Sequence, residues 1–213
     1  MCYNTPMQGK KTVIIFVVIV IALGAGWYLY RWLSPELNKE VAIPAILRDN
    51  KDMDTLKIAS PAFEHEGFIP AKYTCDELNV SPPLSISGVP KEAKSLVLIM
   101  DDPDVPKQLR PEGVFDHWTM YNISPNPTSF GEGEFKGAVG LNGRGEAKYT
   151  GPCPPPQYEP TTHRYFFRLY ATDIPTLNFV KAPTKAEVLV AIEGHVIATA
   201  ELMGKYDRTL KKN

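Results

Sequence analysis

This sequence predicts a mostly β domain of the sandwich kind with one C-terminal helix, preceded by an N-terminal transmembrane helix. Three observations carry that reading. Short apolar runs alternate with proline or glycine punctuation, which is the pattern of a sandwich rather than of βαβ units. Twenty prolines stand against fifteen glycines, and proline favours turns and sheet edges over helix interiors because it fixes φ and lacks an N–H donor. The first thirty-three residues are a different, strongly apolar material. At 213 residues, 44% hydrophobic and 22% charged, the chain suffices for one domain with a full core. A net charge of −1 argues against nucleic-acid binding, which needs a basic stripe to neutralise phosphates.

Taken in order, residues 1–11 read as a short cytoplasmic N-terminus and 12–33 as a transmembrane signal-anchor. Val13 to Leu23 carries no polar side chain, and with Gly24 to Leu33 it reaches the roughly twenty residues that cross a bilayer as a helix. Trp27, Tyr28 and Tyr30 suit the headgroup zone and Arg31 the water beyond it. Lys10 and Lys11 precede the span, so the positive-inside rule places the folded domain outside the cytoplasm, in the periplasm or at the cell surface. The alternative is a cleaved signal peptide and a secreted domain, since Gly24-Ala25-Gly26 has the small side chains of a cleavage site. Residues 34–54 are charged and aperiodic, broken by Pro35 and Pro44, and read as a stalk before a domain spanning 55–213.

Within the domain the clearest strands are Ser95 to Met100, Trp118 to Ile123, Arg164 to Ala171 and Val196 to Leu202. In the third, Tyr165, Phe167, Leu169 and Ala171 share one face, and Arg164, Phe166, Arg168 and Tyr170 the other. The helix is expected over Lys185 to Glu193, with Thr184 as its cap, Glu187 completing a capping box and Gly194 closing it. Cys75 and Cys153 are an even pair in an exported domain. They can form a disulfide, or stand as two small buried thiols.

Three polar clusters break the β pattern. Asp101-Asp102-Pro103-Asp104-Val105-Pro106 follows an apolar strand, and its prolines restrict the residues before them to extended or turn geometry. His117-Trp118 opens a second strand, where alternation puts the two side chains on opposite faces. Gly151-Pro152-Cys153-Pro154-Pro155 is a rigid loop able to expose the N–H groups of Gly151 and Cys153, ahead of His163-Arg164-Tyr165 with His163 and Tyr165 on one face. Imidazole, phenol and backbone donors together suit a phosphate or carboxylate. Each cluster alone reads better as a turn, a structural histidine or a hairpin loop than as a site. Asp/His pairs could serve an acid–base hydrolase, the least favoured reading, but no Gly-x-Ser-x-Gly elbow and no nucleophile beside a base is evident, so no enzyme and no catalytic residue is expected. The acidic and histidine side chains are of types that bind metals, but no close His-x-x-x-His or Cys-x-x-Cys spacing occurs; neither a metal nor another cofactor is expected.

In order and wording, these clusters resemble one family. Tyr73-Thr74-Cys75-Asp76, Ser81-Pro82-Pro83-Leu84, the Asp101–Pro106 stretch, His117-Trp118 with Tyr121-Asn122, Gly151 to Pro155, His163 to Ala171, Gly194-His195-Val196 and Gly204-Lys205-Tyr206 are similar to the phosphatidylethanolamine-binding protein family, especially its bacterial Raf-kinase-inhibitor-like branch. The resemblance runs from about Leu56 to Arg208. It implies that family's sandwich and a small pocket for phosphate-like or phospholipid-headgroup anions, formed by Asp102, Asp104, His117, Pro154, His163 and Tyr165. His117, His163 and Tyr165 would contact the anion, and Asp102 would orient a histidine or raise its pKa. The family's inhibitor names imply, as an alternative, a protease- or kinase-inhibitor-like interaction domain, although nothing in the sequence marks a protein partner. The chain departs from the branch between Pro155 and His163, where Pro156 to Thr162 makes a longer segment without glycine.

Overall fold

The computed structural model describes residues 56–126 and 129–210. The span expected at 12–33 and the stalk at 34–54 lie outside the described residues. Among the described residues no helix is long and apolar enough to cross a membrane.

Among the described residues, eight strands make two antiparallel sheets. β1 (Lys57–Ala59), β2 (Leu84–Ser87) and β5 (Ser129–Phe130) form the smaller, in the order β1-β2-β5. β3 (Ser95–Asp102), β4 (Phe115–Ile123), β6 (Ala138–Val139), β7 (Thr162–Thr172) and β8 (Val196–Asp207) form the larger, in the order β6-β4-β3-β7-β8. β3 is central and buried along its whole length, which is why Ser95 to Met100 reads as a nearly unbroken apolar run. Leu96, Leu98 and Met100 face the smaller sheet in a core that includes Ile58, Leu84, Ile86, Phe130, Trp118 and Phe167. Val97 and Ile99 face the opposite way, onto a second cluster with Tyr121, Leu177, Val188 and Ile192. Each such side chain, fully buried, contributes about 1.5–3 kcal/mol.

The second cluster is covered by α1 (Lys185–Ala191). The expected capping box is present. Glu187 N–H donates to Thr184 Oγ1 at 3.2 Å, and Thr184 N–H donates to Glu187 Oε2 at 2.7 Å. The helix ends at Ala191, earlier than the pattern suggested; Ile192 caps it, and Gly194 turns the chain at φ +77°.

The strands outrun their apolar cores. β3 continues through Asp101 and Asp102, because β7 supplies ladder partners as far as the Asp101–Phe166 pair. Those two aspartates therefore sit on a strand and not in a turn, and alternation sends them to opposite faces. Asp101 joins the helix side, where it takes Arg168 Nη1 and, at 3.3 Å, Lys185 Nζ. Asp102 points to the core side. β7 shows the alternation expected of it: His163, Tyr165, Phe167, Leu169 and Ala171 are buried, and Arg164, Phe166, Arg168 and Tyr170 are more exposed. β8 runs on to Asp207, past the expected end at Leu202, because β7 pairs with it throughout.

Candidate functional site

Three strand segments deliver the polar side chains. The end of β3 supplies Asp102, the start of β7 supplies His163 and Tyr165, and β4 supplies His117. The last depends on a register break. Met100 pairs with Trp118, yet the next residue, Asp101, pairs with Asp116, so His117 is an extra residue opposite no partner. Such a bulge lets consecutive side chains turn the same way. This corrects the expectation that His117 and Trp118 take opposite faces. Trp118 is fully buried in the core beneath the smaller sheet, and His117, itself buried, packs edge-on against Tyr165 of that same core at 5.2 Å between ring centroids.

Asp102 is 3% exposed and uses both carboxylate oxygens. Oδ1 accepts Asp104 N–H at 2.8 Å, and Oδ2 accepts from His163 Nδ1 at 2.6 Å. A carboxylate in this position accepts only, so His163 Nδ1 carries the proton and its Nε2 is left to face elsewhere. His163 Nε2 and Tyr165 Oη are two of the five buried side-chain polar atoms without a hydrogen-bond partner among the described residues. They stand on one face of one strand, with their rings 6.5 Å apart and nearly parallel. An unsatisfied buried polar atom costs about 1–3 kcal/mol, so two adjacent ones call for an explanation.

His117 is fixed by its loop. Its Nδ1 lies 2.5 Å from the Thr150 carbonyl, which can only accept, and Thr150 N–H donates back to the His117 carbonyl at 3.0 Å. Burial pushes the imidazole below its usual range, against the opposing pull of Thr150, Asp102, Asp101 and Asp116. His117 is therefore neutral near pH 7 and presents Nε2 as an acceptor. Phe115 packs on its other side at 4.7 Å, with the Arg110 guanidinium over that ring. Burial, with help from Asp102, holds the Tyr165 phenol well above its ordinary pKa, so it stays an O–H donor.

The remaining two expected residues are placed differently. Asp104 faces away from the imidazoles and clamps Arg164: Oδ2 accepts Arg164 N–H at 2.9 Å and Nε at 2.8 Å, and Oδ1 accepts Nη2 at 2.7 Å. Burial raises this carboxyl, but Arg164 outweighs it and the pKa is lowered. The clamp pins the Asp-Pro turn to β7. Pro154 is buried in the loop that leaves Thr150, and no bond joins it to the imidazoles among the described residues.

That loop is tied down at three points: the Thr150–His117 pair, a bond from Gly151 N–H to Asn79 Oδ1 at 2.7 Å, and a Cys75–Cys153 disulfide reinforced by Cys75 N–H to the Pro152 carbonyl at 3.0 Å. Of the two cysteine readings, the structure has the disulfide. The Gly151 N–H expected to be free is engaged, and glycine is required there because a Cβ would collide with the Tyr73 carbonyl and lie 2.7 Å from Asn79 Oδ1. The segment before His163 is anchored at its end, where Thr161 and Thr162 donate to Asp207 Oδ2 at 3.0 and 2.6 Å. Thr150, Asn79, Phe115 and Arg164 are site-building residues that sequence reading missed. Only Arg164 carried a signal, as a cation next to His163 in a chain whose β3 is followed by an acidic turn. Among the described residues no group of three or more His, Cys, Asp or Glu side chains is arranged to hold a metal.

Comparison with known proteins follows the same outline. The family model described as "Phosphatidylethanolamine-binding protein" matches residues 59–207. A "UPF0098 protein" of Chlamydia trachomatis is 48% identical over 154 residues, covering 72% of this chain and 99% of that one. A "UPF0098 protein" of Methanothermobacter thermautotrophicus is 46% identical, with the same coverages. Among solved structures, a putative phosphatidylethanolamine-binding protein homolog from C. trachomatis superposes with a TM-score of 0.68 at 46% identity, covering 72% of this chain and 98% of that one. E. coli YbcL, described as a new member of the mammalian family, superposes at 0.64 and 26% identity with the same coverages.

Proposed function

Because this chain belongs to the phosphatidylethanolamine-binding protein family, we propose that it is a membrane-tethered, extracytoplasmic protein that binds a small anionic group, a phosphate or a phospholipid headgroup, without turning it over. The observation that carries the reading is the adjacent pair of unsatisfied buried atoms, His163 Nε2 and Tyr165 Oη, beside His117. An anion accepts from the phenol and from a protonated His163, whose charge Asp102 offsets from behind. Binding without catalysis is favoured because Asp102 and the Thr150 carbonyl occupy the Nδ1 atoms. Neither imidazole is bonded to a hydroxyl or thiol among the described residues, so neither has a nucleophile to activate. The tether rests on the apolar sequence of residues 12–33, and the Cys75–Cys153 disulfide suits an oxidising compartment.

The test is calorimetric titration of the full chain in detergent with inorganic phosphate, for the parent and for His163→Ala and Tyr165→Phe. Each substitution should weaken binding by roughly tenfold or more, from the loss of one buried hydrogen bond. Unchanged affinity in both variants sinks the assignment, whereas a protein-interaction module would keep its partner after either change.

A further inference from the structure

The proposed site asks more of its ligand than negative charge. Tyr165 Oη donates as it stands, and His163 Nε2 donates once the ring takes up a proton, which the Asp102 carboxylate on Nδ1 supports. His117 cannot while neutral, because its single proton lies on Nδ1, held by the Thr150 carbonyl, and its Nε2 offers a lone pair. Among the described residues nothing donates to that nitrogen. A ligand oxygen bearing only lone pairs meets repulsion there, and one bearing a proton completes the bond.

We infer that the site selects an acid phosphate, a phosphomonoester bound as the monoanion ROPO3H⁻, over a phosphodiester. The inference rests on the anion-binding reading above and deepens it. In the monoanion the P–OH donates to His117 Nε2 while the two charged oxygens accept from Tyr165 and His163. A diester has no such hydrogen and can be accommodated only by protonating His117 inside the fold.

That protonation is opposed by the surroundings of the ring. Phe115 covers it from its own strand and Tyr165 from β7. Asp102 and Asp101 on β3 and Asp116 on β4 are the charges that favour the cation, and burial outweighs them. Monoester selection also ties binding to pH. The second ionisation of a phosphomonoester falls near 6, so at pH 7.5 the ligand is mostly dianion and must take up about one proton to enter. Affinity then falls at least about tenfold per pH unit above 6, since His163 must gain its proton as well.

The experiment is calorimetric titration of the full chain at pH 7.5, in two buffers of different ionisation enthalpy, with ethyl phosphate, diethyl phosphate and phosphorylethanolamine. Ethyl phosphate should bind with uptake of more than one proton, one carried by the ester and a further one gained by His163 so that Nε2 can donate, and diethyl phosphate should bind at least about tenfold more weakly. His117→Asn keeps a donor for Thr150 and removes the Nε2 acceptor, so it should bring the monoester-to-diester ratio towards one. Equal affinity for both esters overturns the inference and leaves the anion site standing. Binding of phosphorylethanolamine alone, without proton uptake, overturns it in favour of an ammonium donor at His117. If neither ester binds, the anion reading itself fails and the inference with it. Should His117→Asn not fold, the proton count and ester ratio of the parent decide alone.

Discussion

Replacing Asp102 with asparagine separates two roles the carboxylate can play. As a negative charge near an anion, Asp102 would weaken binding, and neutralising it would tighten the complex. As the acceptor that orients His163 and balances its charge, it would strengthen binding, and neutralising it would loosen the complex. The geometry favours the second role, since Oδ2 is 2.6 Å from His163 Nδ1 and both groups are buried. In Asp102→Asn the amide oxygen keeps Asp104 N–H, held now at 2.8 Å. The amide nitrogen then faces Nδ1, so the imidazole shifts its proton to Nε2. One charge-assisted bond becomes a neutral one and one amide hydrogen is left over, a stability cost of about 1–2 kcal/mol. Asp102→Ala strands two buried donors and should cost about 3–5 kcal/mol. Phosphate affinity in Asp102→Asn should drop about 10–100-fold, as with other carboxylates that support a ligand-binding histidine. Urea denaturation gives the first pair of numbers and calorimetry with inorganic phosphate the last. Tighter phosphate binding by Asp102→Asn would refute the orienting role, and equal stability of the Asn and Ala variants would refute the proton-shift argument.

Two further outcomes follow from the loops that frame the site. Removing the disulfide with Cys75→Ser and Cys153→Ser frees a crosslink between residues 78 apart in sequence; the loss should be about 2–4 kcal/mol, seen as a melting point lower by roughly 6–12 °C, and phosphate affinity should fall because the loop holding Thr150 loosens. An unchanged melting point under reductant would show that the other ties suffice. Burial pushes the Asp207 carboxyl up, but hydrogen bonds from Thr162, Thr209 and Thr161 win and hold it at about 2. With a folded value below the ordinary 3.9, its contribution is complete above about pH 4 and is lost as pH falls towards 2. It should amount to about 2 kcal/mol, and Asp207→Asn should flatten acid unfolding across that window; an identical acid limb in the variant would show the threonine bonds contribute nothing.

Much of the fold was legible because the larger sheet writes itself in period two. β7 is the clearest case, with Tyr165, Phe167, Leu169 and Ala171 inward as alternation requires. The helix cap at Thr184 was equally readable, since a capping box is a local bond between residues three apart. Strand ends were not, because Asp101 and the residues after Leu202 are held by ladders to β7, and Asp102 by its pairing with Phe115 of β4, and not by their own propensity. The candidate residues were found as sequence motifs, but their division was hidden: Asp102 turns to His163, whereas Asp104, two residues on, is taken by Arg164. That division depends on where the strand stops and the proline-fixed turn begins.

His117 shows the deeper reason. Counted from Trp118, strict alternation would have put it on the helix side of the sheet with Asp101, where a charged network already includes Lys185 and Arg168. A single inserted residue in β4 moves it to the core side instead, against Tyr165. A bulge of this kind exists only as a relation between two strands, so no reading of β4 alone reveals it. It also leaves the His117 carbonyl open to Thr150 N–H, and the Thr150 carbonyl in turn holds the imidazole proton on Nδ1. The bulge thus sets both the position of the ring and the hydrogen-bonding role of its free nitrogen. Deleting Asp116 would close the bulge, bring His117 opposite Asp101, turn the ring from the site and remove the acceptor on which ligand choice depends.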